Sequence, residues 1–153
     1  MSIWTGILLG TTMAANVWMV IWPNQKIVIA NARNVLAGGE ADPAAAGAAR
    51  TGALASRQNT IFSIPLIMLM VFTSHVFGDA TNFVDKASGG KPALFWIVTL
   101  VVWGALELNA LGIIGGKAAG GLNTIYDTHQ AAIWTGVILA VFWYGLIELV
   151  AHA

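Results

Sequence analysis

Ionisable and amide side chains set inside apolar runs are the residues of this sequence best placed to do chemistry. Glu107 and Asn109 stand in Leu106-Glu107-Leu108-Asn109, Glu148 in Ile147-Glu148-Leu149, His75 after Thr73-Ser74, and Asn16 in Ala14-Ala15-Asn16-Val17. A central charge in hydrocarbon costs roughly 2.5 to 3.5 kcal/mol on insertion scales, so such residues are by default proton, ion or cofactor sites. Counting depth along helices groups them into an inner cluster (Asn16, Glu107, Asn109) and an outer one (His75, Glu148, with His152). For the inner cluster the chemistry would be a proton or quinone site, with Glu107 titrating and the two amides orienting it. The plainer reading is interhelical hydrogen bonding. In the outer cluster His75 and His152 could ligate a b-type haem from two helices, or simply hydrogen-bond Glu148 and interfacial water. His129, beside Asp127, reads as interfacial. No metal-binding triad, Ser-His-Asp arrangement or phosphate-cradling glycine loop is present, so no metal site is expected; Gly115-Gly116 and Gly120-Gly121 read as turns.

The elements that would position these residues are membrane helices. Of 153 residues 58% are hydrophobic and 9% charged, which is the balance of an integral membrane protein. Seven basic and seven acidic residues leave no basic stripe, which argues against nucleic-acid binding. The absence of cysteine excludes disulfides, thiolate chemistry and covalent c-type haem attachment. Met1-Ser2-Ile3-Trp4 lacks the basic n-region of a signal peptide, so the first segment is expected to be retained. About 20 apolar residues cross a bilayer, and such runs lie near 3–22, 60–77, 92–115 and 130–151. The expected fold is all-α, an integral membrane four-helix bundle in a single domain, 1–153.

In Ile21-Trp22-Pro23-Asn24-Gln25-Lys26 an apolar segment meets proline, amide and cation, and Pro23 is expected to end the first helix there. Residues 23–59 then form a long cytoplasmic loop, containing a short amphipathic piece (27–37) and an Ala-rich helical run capped by Asp42-Pro43 that leads back into the second helix; Pro65 would kink that helix. Lys26, Arg33, Arg50 and Arg57 in the first loop and Lys117 in the third, against Lys86 and Lys91 in the second, place the first and third loops in the cytoplasm and both termini outside, in the periplasm of a bacterial cell. The localisation expected is a multi-pass protein of the bacterial inner membrane, with lipid and other membrane subunits as partners.

Gly6, Gly10 and Ala14 recur every fourth residue and mark a close-packing seam on the first helix. Trp4, Trp22, Trp96 and Trp134 fall near the interfaces as an aromatic belt. Trp18, Trp103 and Trp143 lie deeper, where they indicate protein packing or an aromatic pocket for a quinone, lipid or pigment tail.

The stretch from Thr11 to His75 resembles the membrane domain of bacterial cytochrome-c-linked urate oxidases. The likeness is carried by Met13-Ala14-Ala15-Asn16-Val17, Ile21-Trp22-Pro23-Asn24-Gln25-Lys26, Gly39-Glu40-Ala41-Asp42-Pro43, Ser56-Arg57-Gln58-Asn59-Thr60, Ser63-Ile64-Pro65-Leu66, Met68 and Ser74-His75. With no cysteine there is no CxxCH motif, so the likeness is to the membrane part without its cytochrome c domain. Two functions stay open. One is an accessory subunit of a larger respiratory or photosynthetic electron-transfer complex, with a packing role and no catalysis of its own. The other, implied by the resemblance, is a urate-oxidase-like membrane module that binds b-haem or quinone and works with a separate cytochrome c.

Overall fold

In a computed structural model, which describes residues 1–75 and 92–152, the chain is helical throughout apart from turns, with no strand among the described residues. Helix α1 spans Ser2–Ala15, a π-helical segment Asn16–Ile21 continues it, and α2 runs over Trp22–Leu36 without a break. Helix α3 is Ala44–His75, α4 is Pro92–Ala110, the single turn α5 is Thr124–Asp127 and α6 is His129–His152. Four helical stretches are long and apolar enough to cross a membrane: Ser2–Leu36, Ala44–Thr73, Pro92–Ala110 and His129–Val150.

Pro23 therefore does not end the first helix, and most of 23–59 is helix instead of loop. A proline within a helix lacks one N–H, and its ring crowds the carbonyl four residues back. The π-helical segment directly before Pro23 widens the turn at that point, with Trp22 N–H reaching Val17 O, and so takes up the misfit. Asn24 Nδ2 donates to Val20 O at 2.8 Å, which satisfies a carbonyl beside the proline. The helix resumes and stops only at Leu36-Ala37-Gly38. The connection to α3 is 37–43, and Asp42 caps α3 by accepting from Ala44 N–H at 2.8 Å. The expected second helix, 60–77, is thus the second half of a 32-residue helix; its last two residues and the second loop with Lys86 and Lys91 lie outside the described residues.

Helix α4 also ends earlier than position 115. Gly112, at φ +78°, takes the left-handed conformation that closes a helix. Its N–H bonds Asn109 O at 2.9 Å and Ile113 N–H bonds Leu108 O at 2.9 Å, the two reverse bonds of a Schellman stop.

Helix α3 is the hub. Its most extensive interface is with α6, then with α1 and α2. The core at these contacts comprises Leu9, Leu54, Ile61, Phe62, Leu69, Phe95, Leu139, Trp143 and Ile147. Two approaches are closer than ordinary side chains permit. A Cβ at Gly6 would lie 3.1 Å from Met70 Sδ, and one at Gly10 3.2 Å from Leu66 Cδ1, so both glycines face α3; Ala14, the third residue of that stripe, is exposed. The tightest approach between two helices is at Gly136 on α6, where a Cβ would sit 2.8 Å from the Ile61 carbonyl oxygen. Pro65, four residues after Ile61, has no N–H to give that carbonyl, and the α6 backbone lies against it. Trp143 is fully buried, whereas Trp18 is 70% exposed and faces outward, contrary to the packing role expected of it.

Candidate functional site

The helices bring one polar cluster together inside the bundle. Asn16 Nδ2 uses both of its protons, one toward Glu107 Oε2 at 3.2 Å and one toward Asn59 Oδ1 at 3.1 Å. Asn59 Nδ2 in turn donates to Met13 O at 3.0 Å. Three elements meet here: α1 where its π-helical segment begins, α3, and α4. One turn outward on α1 and α4, Trp103 Nε1 donates to Thr12 Oγ1 at 3.0 Å. The two rungs, Thr12 with Trp103 and Asn16 with Glu107, join α1 to α4 through long polar side chains. Asn16 and Glu107 are both buried, and in a membrane such bonds are worth about 0.6 kcal/mol each on average.

Asn109, grouped with Asn16 by depth, turns the other way, because two residues along a helix is about 200° of rotation. It is buried and its Nδ2 donates to Leu122 O at 3.1 Å, which ties α4 to the loop before α5. Sequence reasoning missed the neighbouring pair Gln58 and Tyr126. The Tyr126 hydroxyl lies 2.7 Å from Gln58 Oε1 and 2.9 Å from Leu106 O, joining α5, α3 and α4. Burial holds this phenol well above its usual range, and the nearby Glu107 charge pushes the same way. The signal was available in principle: tyrosine is one of two in the chain, and Gln58 precedes the amide that bonds Asn16. Among the described residues, buried Gln58 Nε2, Asn109 Oδ1 and Asn123 Oδ1 have no hydrogen-bond partner.

A second polar layer covers this end of the bundle. Arg50 on α3 pairs with Asp127 at 2.9 Å, and its Nε and Nη2 reach Lys117 O and Ala118 O at 2.8 and 3.3 Å. Asp127 also accepts from Gly120 N–H at 2.8 Å. That backbone bond, with Arg50 adding to it, holds the Asp127 carboxyl below its usual range. Arg57 Nη1 approaches the His129 ring at 2.7 Å. Arg57 and His129 therefore fasten α3 to the start of α6.

The outer cluster lies only partly within the described residues. His75 is exposed at the end of α3 with Nδ1 3.2 Å from Val71 O, and Glu148 is half-buried on α6. The side chain of His152 lies outside the described residues, so the pairing of His75 with His152 does too. Among the described residues no three His, Cys, Asp or Glu side chains converge on a common point.

Four helices of membrane-crossing length, tied internally by amide and carboxylate side chains, define a multi-pass membrane protein. A family model described as urate oxidase N-terminal matches residues 2–88, more than half of the 153-residue chain. The chain belongs to the urate oxidase N-terminal family. Neither the curated proteins nor the solved structures offer a match to it.

Proposed function

We propose that this chain is an accessory integral-membrane subunit of a larger electron-transfer assembly, respiratory or photosynthetic, in the bacterial inner membrane. The observation that carries this reading is the outward face of α1 and α2. Trp4, Ile7, Trp18, Met19 and Trp22 are all exposed along it, and Ile29 and Leu36 continue it beyond membrane length, interleaved with Lys26 and Arg33. Large aromatic and aliphatic side chains on such a stripe suit lipid along the lower part and a neighbouring subunit along the upper. Lys26, Arg33, Arg50, Arg57 and Lys117 share the end of the bundle that carries α2 and α5, which supports a cytoplasmic position for that end and outside termini. The polar cluster around Asn16 then serves to lock helix register.

The test is isolation of the tagged chain from its native membranes in a mild detergent. The expected result is migration in fixed stoichiometry with a larger, chromophore-bearing complex. Migration alone, with a Soret band of its own or with unaided urate oxidation, overturns the proposal.

Family membership favours a second reading, a membrane module of a urate-oxidase-like oxidoreductase that binds b-haem or quinone and passes electrons to a separate cytochrome c. A Soret band in the purified chain that disappears in His75→Ala supports it; a chain without visible absorbance counts against the haem version.

A further inference from the structure

Glu107 has an environment that a purely structural carboxylate does not need. It receives one amide proton, from Asn16 Nδ2, at 3.2 Å, the long end of the ordinary N–H···O range. That amide group is shared with Asn59. Among the described residues no Lys or Arg forms an ion pair with Glu107. The groups that the hydrogen bonds place around it are uncharged: Asn16 bonds it directly, Asn59 on α3 bonds Asn16, and Thr12 on α1 bonds Trp103 one turn away on α4. Tyr126 from α5 is the titratable neighbour, and the part of α6 at this level, Ala132 to Leu139, is free of charge. Arg57, next to Gln58 in sequence, is turned to His129. Glu107 is three residues from the end of α4, about 5 Å along the helix axis, so the carboxyl is buried yet one turn from where the helix stops.

We propose that Glu107 is a proton-exchange site, with Asn16 and Asn59 as its positioning amides. In the exchange a proton from water joins a carboxylate oxygen, giving a neutral carboxylic acid, and leaves by the reverse step; no electrons move and the chain gains one positive charge per proton. Both forms can accept the Asn16 amide proton. The acid keeps an acceptor oxygen for Asn16 and gains a hydroxyl donor, whereas a carboxylate fixed by a cation has only one stable form. The inference goes beyond the subunit role proposed above and does not depend on the identity of any partner.

The chain contains three glutamates, Glu40, Glu107 and Glu148, which makes a direct reading practical. The protein is prepared in lipid bilayers with glutamate labelled at the side-chain carboxyl carbon, and the three carbon resonances are followed against pH by solid-state magnetic resonance. Glu40→Gln and Glu148→Gln each delete one signal and assign the third to Glu107 without altering it. The expected result is a Glu107 resonance that moves reversibly between the carboxylate and carboxylic-acid positions while the protein stays folded. Asn16→Ala is expected to move the midpoint by about one pH unit. A Glu107 signal fixed at either limit across the whole folded range overturns the proposal, and an unchanged midpoint in Asn16→Ala overturns the positioning role.

Discussion

Replacing Gly136 by alanine tests the packing logic of the bundle most sharply. The added Cβ would fall 2.8 Å from the Ile61 carbonyl oxygen and 2.9 Å from Ile64 Cδ1. The Ile64 methyl can rotate away, but the carbonyl belongs to the backbone of the central helix. Restoring an ordinary contact of 3.4 Å moves α6 off α3 by about 0.6 Å, and a gap of that size forfeits about a quarter of each dispersion well along the most extensive interface in the fold. Overpacking of this kind costs ~1 to 3 kcal/mol. Alanine's better helix propensity returns up to ~1 kcal/mol of that. With the full return the expected net loss is ~0 to 2 kcal/mol, read from reversible denaturation in mixed micelles followed by circular dichroism. Gly145→Ala is the matched control, because a Cβ there meets nothing within 4 Å and the propensity gain stands alone. Gly6→Ala should fall between them, since the obstacle is the flexible end of Met70. Equal stability of Gly136→Ala and Gly145→Ala would refute the close-approach argument.

Gly10→Leu should lower thermal stability by ~1 to 3 kcal/mol and slow native-gel migration, because Leu66 already stands 3.2 Å from the position of a Cβ. Tyr126→Phe removes the hydroxyl that meets Gln58 Oε1 and Leu106 O, leaving buried acceptors unpaired; the expected loss is ~1 to 3 kcal/mol, and stability equal to that of the parent counts against the bond. Arg50→Ala frees Lys117 O, Ala118 O and Asp127 together, so amide hydrogen exchange over 116–123 should quicken while the melting temperature of the bundle changes little. Asp127 is held below its usual range, so its contribution is present above the ordinary Asp pKa of about 3.9 and is lost as pH falls through the lower folded-state value. Hydrogen exchange in the same loop should therefore rise in acid in the parent and show no such pH dependence in Asp127→Asn.

How far the fold could be read from sequence follows from what each segment reveals about its surroundings. Apolar runs of membrane length mark themselves, and all four appear as helices long and apolar enough to cross. Pro23 misled because a proline after an apolar run ordinarily means a stop; continuation depended on a π-helical segment and on Asn24 bonding back to Val20, neither of which has a periodic signature. Helix α2 buries no residue fully, so the amphipathic piece at 27–37 is legible as a helix but not as a continuation of the first. In the site, depth counting put Asn16 level with Glu107, and in the structure their side chains meet. The same counting included Asn109, since depth carries no information about which way a helix residue points. Asn59 falls at the end of the stretch 23–59 expected as a loop, which gives no hint that its amide meets Asn16 between helices. Tyr126 lies in a single turn between glycine-rich stretches, where no pattern shows that its hydroxyl reaches two other helices.

The unequal lengths of the helices have a mechanical consequence. Ser2–Leu36 spans 35 residues, about 52 Å at 1.5 Å per residue, while Pro92–Ala110 spans 19, close to the ~30 Å of a hydrocarbon core. The paired α2 and first half of α3 therefore overhang the end of α4 by about 20 Å as a cantilever. Its root is the Asn16–Asn59–Glu107 junction, where the π-helical segment begins. A load applied at Leu36 would act with the whole overhang as its lever arm on the turn that begins at Asn16.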